Sequence, residues 1–321
     1  MFKESKLFFI IAETPLHPGS GGEISGLVDL PIQRERYTNF PKIEASGLKG
    51  CIREAFSSSN KQISLNNSQV NVSDKDIISL VFGPEDTEEA HAGALSFTDA
   101  RILLFPVKSL KGVFAWISCP MVLERFKEDL KLINQTIKDP FNIDFSTLVN
   151  TLPQQTNICI ESKVVLEEYT FEAKENESTS DIAKYFAQKI FPQQQNDIYK
   201  FWREKLEKDL VILSNDDFEQ FVTSSTEVIT RTKINDKTGT VESGALWTEE
   251  YLPQDTILYS IAMASPVRVK EDNEKGIFRA DTPDKEAEKV IKFFESGIPE
   301  IIQIGGNQTL GKGIVRIQIL K

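Results

Sequence analysis

Asp29 stands between a loop holding four glycines (Gly19, Gly21, Gly22 and Gly26) and two arginines, Arg34 and Arg36. Glycine lets a backbone take positive φ and approach a ligand closely, so such a loop can cradle phosphate oxygens. An acid set between that cradle and two guanidinium groups suits a phosphodiester held by cations, with a carboxylate aimed at it. A second glycine-rich run, Gly305, Gly306, Gly311 and Gly313, surrounds Lys312 after an apolar stretch. It offers close backbone approach and one ammonium to an anion. Plainer readings stand beside these. Asp29 reads equally as an Asx-turn residue, His17 as a turn cap, and the second loop as a tight connection between strands. Lys49 and Arg53 read as a solvated helix flank, Arg231 and Lys233 as an exposed strand face, and Trp247 as a core residue.

Several other chemistries are excluded by absence. The chain has no HExxH, no CxxC and no GxSxG. Gly306, Gly311 and Lys312 have Walker spacing, but Gly313 occupies the position of the metal-binding Ser or Thr. Two histidines, His17 and His91, and three cysteines without paired spacing, Cys51, Cys119 and Cys159, argue against structural zinc. They suit reduced thiols in a cytoplasmic protein. No apolar run approaches the roughly 20 residues that span a bilayer, and Leu7–Ala12 is strand length rather than a leader. The net charge of −11 argues against bulk attraction to nucleic acid. The charge is unevenly spread, however. Acids gather in Glu85–Glu89 and Glu161–Asp181, whereas Arg34–Arg53 is locally basic and Gly305–Lys321 carries Lys312, Arg316 and Lys321 without an acid. Screening confines exposed charges to about 8–10 Å, so local sign decides.

The elements that must position these groups follow from periodicity. Lys6–Glu13 predicts a buried strand, stopped by Thr14-Pro15. Ser46–Phe56 predicts a helix started by Ser46, with Lys49 and Arg53 together on one flank. Asn60–Asp74 reads as a loose polar loop. Ala94–Val107 and Gly112–Cys119 read as strands, and Pro120 opens a helix to about Leu132. From there to Phe221, helical patterns at Ser180–Ile190, Gln194–Leu206 and Asp216–Phe221 predict an inserted, mainly helical lobe. Glu227–Ile234 alternates, Asn235–Gly239 is a turn signal, and Thr240–Glu250 returns as a β-hairpin. Asp255–Ala264 is a further buried strand. Pro283–Ser296 is an amphipathic helix capped by Thr282 and ended by Gly297, and strands at Ile301–Ile304 and Gly313–Leu320 bracket the second glycine loop. This order predicts an α/β (α+β) chain with a modified ferredoxin-like, RRM-like antiparallel sheet. Its helices would cover one face and leave the other open, as in RNA-recognition domains.

Longer motifs narrow the reading. The run TPLHPGSGGEISGLVDLPIQRERYTNFPKIEASGLKGCIRE, with FGPE at Phe82–Glu85 and AGALSFTDARILLFPVKSLKGVFAWISCP at Ala92–Pro120, resembles the RAMP superfamily of CRISPR proteins. GALWTEEYLP at Gly244–Pro253 and GGNQTLGKG at Gly305–Gly313 complete the order. More narrowly, the chain is similar to the repeated backbone subunit of the type III-B effector, the fourth Cmr subunit. The resemblance implies one RAMP-type domain over 1–321: a palm at about 1–125 and 255–321, a helical insertion at about 126–225, and a thumb hairpin at about 226–254.

It further implies partners: crRNA, target single-stranded RNA, further copies of the chain in a helical filament and other Cmr subunits, with no membrane. The thumb would disrupt one base pair per repeat, and target RNA would be cut at regular intervals by 2′-OH attack on the scissile phosphate. Asp29 matches the family's cleaving carboxylate, as ligand of a loosely bound Mg²⁺ or Mn²⁺ or as a base. His17, Glu249 and Tyr251 match positions near that site. The expected RNA-contacting set is Gly21, Gly22, Arg34, Arg36, Ser46, Lys49, Arg53, Arg231, Lys233, Leu246, Trp247, Gly306, Gly311 and Lys312. SGLKG stands where two serines are commoner. The alternatives are a related backbone subunit that binds crRNA without cutting, and a scaffold that binds no nucleic acid.

Overall fold

The computed structural model describes residues 2–21, 28–65, 68–85, 91–133 and 140–321. The apolar run near the N-terminus forms a strand, Glu4–Ala12, paired antiparallel with Ile257–Ala264 on one side and Ile314–Ile319 on the other. Ala100–Lys108 pairs antiparallel with the far edge of Ile257–Ala264. Helix Ala45–Ser57 follows the first strand and helix Pro283–Gly297 precedes the last. That is the ferredoxin-like arrangement, with the last and third strands flanking the first and the second outermost. The α/β class and this core are as the sequence predicts.

The sheet does not stop there. Phe114–Ser118 extends it antiparallel, Leu210–Ile212 adds parallel to that strand, and Thr151–Leu152 and Lys174–Glu175 follow. The stretch expected to be mainly helical therefore also lengthens the main sheet. Helix Pro120–Ile133, just before that stretch, and helix Glu177–Ile190 within it close the face expected to be open. Phe8 packs edge-on against Phe294 at 5.6 Å, under helix Pro283–Gly297. Phe9, pointing the other way, stacks on Phe126 at 6.2 Å, and Phe126 meets Phe186 at 5.2 Å. Both faces are core, so the sheet face itself is not where RNA can lie.

Two local expectations are corrected. Asn60–Asp74 is not a loose loop: Gln62–Leu65 and Ser68–Asn71 pair antiparallel, burying Ile63, Leu65, Val70 and Val72. Four apolar residues alternating within a polar run suffice. The first helix starts at Ala45 rather than Ser46, and its Ala45 N–H is taken by Asp99 Oδ1 at 2.9 Å. A cap from a distant residue leaves no local signal. Thr282 caps helix Pro283–Gly297 as predicted, accepting from Lys285 N. Among the described residues no helix is long and apolar enough to cross a membrane.

Asp255, at φ 67° before strand Ile257–Ala264, is pushed up to about 6 by burial and by Glu13. The folded chain therefore binds a proton between about pH 4 and 6 that the unfolded chain releases, and stability falls as pH rises through that window. Asp255→Asn, whose side chain tolerates left-handed φ, should raise the melting temperature at pH 7 and give no gain at pH 3.5. Equal effects at both pH values would refute this origin.

Candidate functional site

The first glycine loop is closed at its neck and fastened to the thumb. Gly19 bridges Ile32, and Ser20 N donates to Pro31 O at 3.0 Å. The outgoing limb then runs parallel to the thumb strand Val241–Tyr251: Leu30 N donates to Thr248 O and Glu250 N to Leu30 O, both at 3.0 Å. Glu227–Ile234 pairs antiparallel on the other side, so the predicted hairpin has a three-stranded base. Alternation there puts Ile229 and Arg231 inward and leaves Val228 exposed.

Asp29 lies at that junction with its side chain in solvent. Its Oδ2 accepts from Thr248 N at 2.8 Å and Thr248 Oγ1 at 2.9 Å. These two bonds hold its carboxyl below the ordinary range, so it is ionised at neutral pH. Among the described residues, no other residue donates to Oδ1. One open carboxylate oxygen on an exposed loop fits a hydrated Mg²⁺ or Mn²⁺. Among the described residues there is no cluster of three or more His, Cys, Asp or Glu of the kind that binds an ion without water.

His17, Glu249 and Tyr251 are brought together, but inside. Glu249 is 5% exposed and Tyr251 0%. Glu249 Oε2 accepts from Tyr251 OH, Arg231 Nε at 3.1 Å and Asn307 Nδ2 at 3.0 Å, and Oε1 accepts from Trp247 Nε1 at 2.9 Å. Burial works to raise the Glu249 carboxyl, but the bonds from Tyr251, Trp247 and Arg231 outweigh it and hold it low. Asn307, at φ 64°, also donates to Tyr251 OH at 2.7 Å. His17 Nδ1 lies 2.6 Å from Glu250 O. A carbonyl only accepts, so Nδ1 carries a proton and donates to it. The second glycine loop packs on this cluster. Gly306 N donates to His17 O at 3.0 Å, and a Cβ on Gly305 (φ 79°) would sit 2.3 Å from that oxygen. In this loop Gly305 and Gly306 serve protein contact while Gly311 faces open space, as does Gly21 of the first loop.

The remaining expected RNA contacts divide. Arg34 is an internal brace, bonded to Glu250 Oε1 at 2.5 Å, Asn39 O and Val222 O. Arg231 is spent on Glu249 and Tyr251, and Lys233 pairs with Glu242 at 2.8 Å. Lys312 Nζ sits 5.2 Å from the Tyr251 ring centroid. Arg36 and Ser46 are exposed, and Leu246 is 64% exposed on the thumb beside Trp247. Arg53 donates to Gly83 O and reaches Glu85 at 3.2 Å. Lys49 lines a cleft with Arg268 and Gly93; among the described residues neither cation has an ion-pair partner. Burial, then Arg53, lowers the Lys49 ammonium. Gly22 lies outside the described residues. Thr248, Asn307 and Arg268 were not singled out from the sequence, although Thr248 and Asn307 lie within two of its recognised motifs.

The family model described as RAMP superfamily matches residues 9–316. A curated relative from Pyrococcus furiosus, CRISPR system Cmr endoribonuclease Cmr4, is 38% identical over 95% of this chain and 92% of its own. The chain belongs to the RAMP superfamily, in its Cmr4 branch. A second Cmr4, the CRISPR system CMR subunit of Saccharolobus solfataricus, is 28% identical over 98% of this chain and 96% of its own. The crystal structure of oligomeric Cmr4 from Pyrococcus furiosus superposes with a TM-score of 0.67 at 29% identity, covering 98% of both chains. As a RAMP chain of this branch, it carries its exposed acid where the glycine loop meets the thumb base.

Proposed function

We propose that this chain is the backbone subunit of a type III-B CRISPR effector, binding crRNA and cutting complementary single-stranded RNA at regular intervals in the assembled complex. The reading rests on end-to-end similarity to a Cmr endoribonuclease. It is supported by the exposed, ionised Asp29 at the thumb base. Copies of the chain stack along the guide in the cytoplasm with other Cmr subunits, as the oligomeric relative suggests.

The chemistry follows from geometry. Internal attack needs the 2′-OH in line with the scissile phosphate and the leaving oxygen, which a helical duplex disfavours. A thumb presenting exposed Leu246 splays one nucleotide and frees it to reach that line, so positioning supplies much of the rate. Asp29 presents Oδ1 to the phosphate region. When bound there, a divalent ion would neutralise charge developing on the phosphate. His17, Glu249 and Tyr251, held inside, fix the thumb on the palm.

Complex assembled from this chain, guide and partners should cut complementary RNA at a fixed interval and leave non-complementary RNA whole. Irregular cuts would contradict the thumb's role. Lys49→Ala should weaken guide binding and reduce the slope of log affinity against log salt by about 0.7. An unchanged slope would remove Lys49 from the phosphate contacts.

A further inference from the structure

We propose that Thr248 is the positioning residue for Asp29: it commits one carboxylate oxygen to the thumb and leaves the other as the oxygen presented to RNA. This rests on the cleavage reading above. Three hydrogen bonds close between the two residues. Thr248 donates to Oδ2 from both its amide, at 2.8 Å, and its hydroxyl, at 2.9 Å, while the same hydroxyl accepts from Asp29 N at 3.0 Å. The hydroxyl is thus used as donor and acceptor at once, a pairing that serine can reproduce and valine cannot. Backbone bonds on either side, from Leu30 N to Thr248 O and from Glu250 N to Leu30 O, keep the pair in register.

Two consequences follow. An aspartate on an exposed loop would otherwise turn freely about its side-chain torsions; here one oxygen is pinned and the other faces out. Thr248 also lies two residues after exposed Leu246 on the thumb strand, whereas Trp247 between them donates to Glu249 on the other face. The residue placed to enter the duplex, Leu246, and the residue that aims the carboxylate therefore share one face of one strand, so cutting is coupled to thumb seating.

The test uses the assembled complex with guide, comparing wild type, Thr248→Val, Thr248→Ser and Asp29→Asn. Thr248→Val should slow single-turnover cleavage about tenfold or more, as expected for loss of a hydrogen bond to a charged group. Target affinity should be unchanged, and Thr248→Ser should restore the rate. A second readout needs no turnover: Mn²⁺ binding, followed by electron paramagnetic resonance on complex loaded with target bearing 2′-deoxy nucleotides at the cut sites. Asp29→Asn should lose this binding, Thr248→Val should weaken it, and Thr248→Ser should keep it. The inference is overturned if Thr248→Val cuts and binds Mn²⁺ like wild type while Asp29→Asn does neither, or if Thr248→Val loses target affinity instead of rate. Normal cutting by Asp29→Asn would overturn the cleavage reading beneath it.

Discussion

Asp29→Asn in the assembled complex should slow target cleavage by about 10²–10³-fold, the range for removing one group that stabilises charge in the transition state, and leave guide and target binding intact. Asparagine keeps the shape of the side chain, and its carbonyl oxygen can still accept from Thr248 N and Oγ1, which hold Oδ2 in the wild type. The loop stays fastened to the thumb, so the loss isolates the charge. The pH dependence adds a second discrimination. Hydrogen bonds from Thr248 lower the Asp29 carboxyl, so it stays ionised as pH falls until below its ordinary range. A base works best with a pKa near the operating pH, and Asp29 is tuned away from it. This favours the ligand role over the base, and predicts a cleavage profile without an Asp29 limb between about pH 5 and 8. Single-turnover rates across that range check both statements; a wild-type rate from Asp29→Asn contradicts them.

Glu249→Ala should destabilise the isolated chain by about 3 kcal/mol, the scale for breaking a buried ion pair on one side. Its carboxylate receives Arg231, Tyr251, Asn307 and Trp247, and its side chain is 6% exposed against 26% for Arg231. Removing it takes the shared acceptor from a guanidinium and three other donors around a buried position. These groups come from both thumb strands and the second glycine loop, so the thumb also loosens from the palm. Glu249→Gln keeps an acceptor and should cost less. Chemical denaturation measures both, and a Glu249→Ala chain as stable as wild type would show that the cluster does not hold the fold.

Much of this was legible in the residues. Lys6–Glu13 announced a buried strand by its unbroken apolar run, and Glu227–Ile234 with its turn announced the thumb by alternation. What escaped depends on contacts between distant segments. Phe126 and Phe186 carry no mark showing that they cover the second sheet face, yet they close it. Arg34 and Arg231 look like free cations in sequence, but Glu250 and Glu249 claim them in the fold. Asp29 was readable as an acid beside a glycine loop; its partner Thr248, 219 residues away, was not. The second glycine loop looked like a phosphate cradle, whereas Gly305 is glycine because His17 O leaves no room for a Cβ.

The most direct measurement is a structure of the assembled complex with guide and a target made uncleavable by 2′-deoxy substitution at the cut sites. The account predicts one splayed nucleotide beside Leu246, with Asp29 Oδ1 about 4 Å from an oxygen of the scissile phosphate, the span of one shared ion. A stacked, continuous duplex at the thumb, or an Asp29 turned away from every target phosphate, would contradict it.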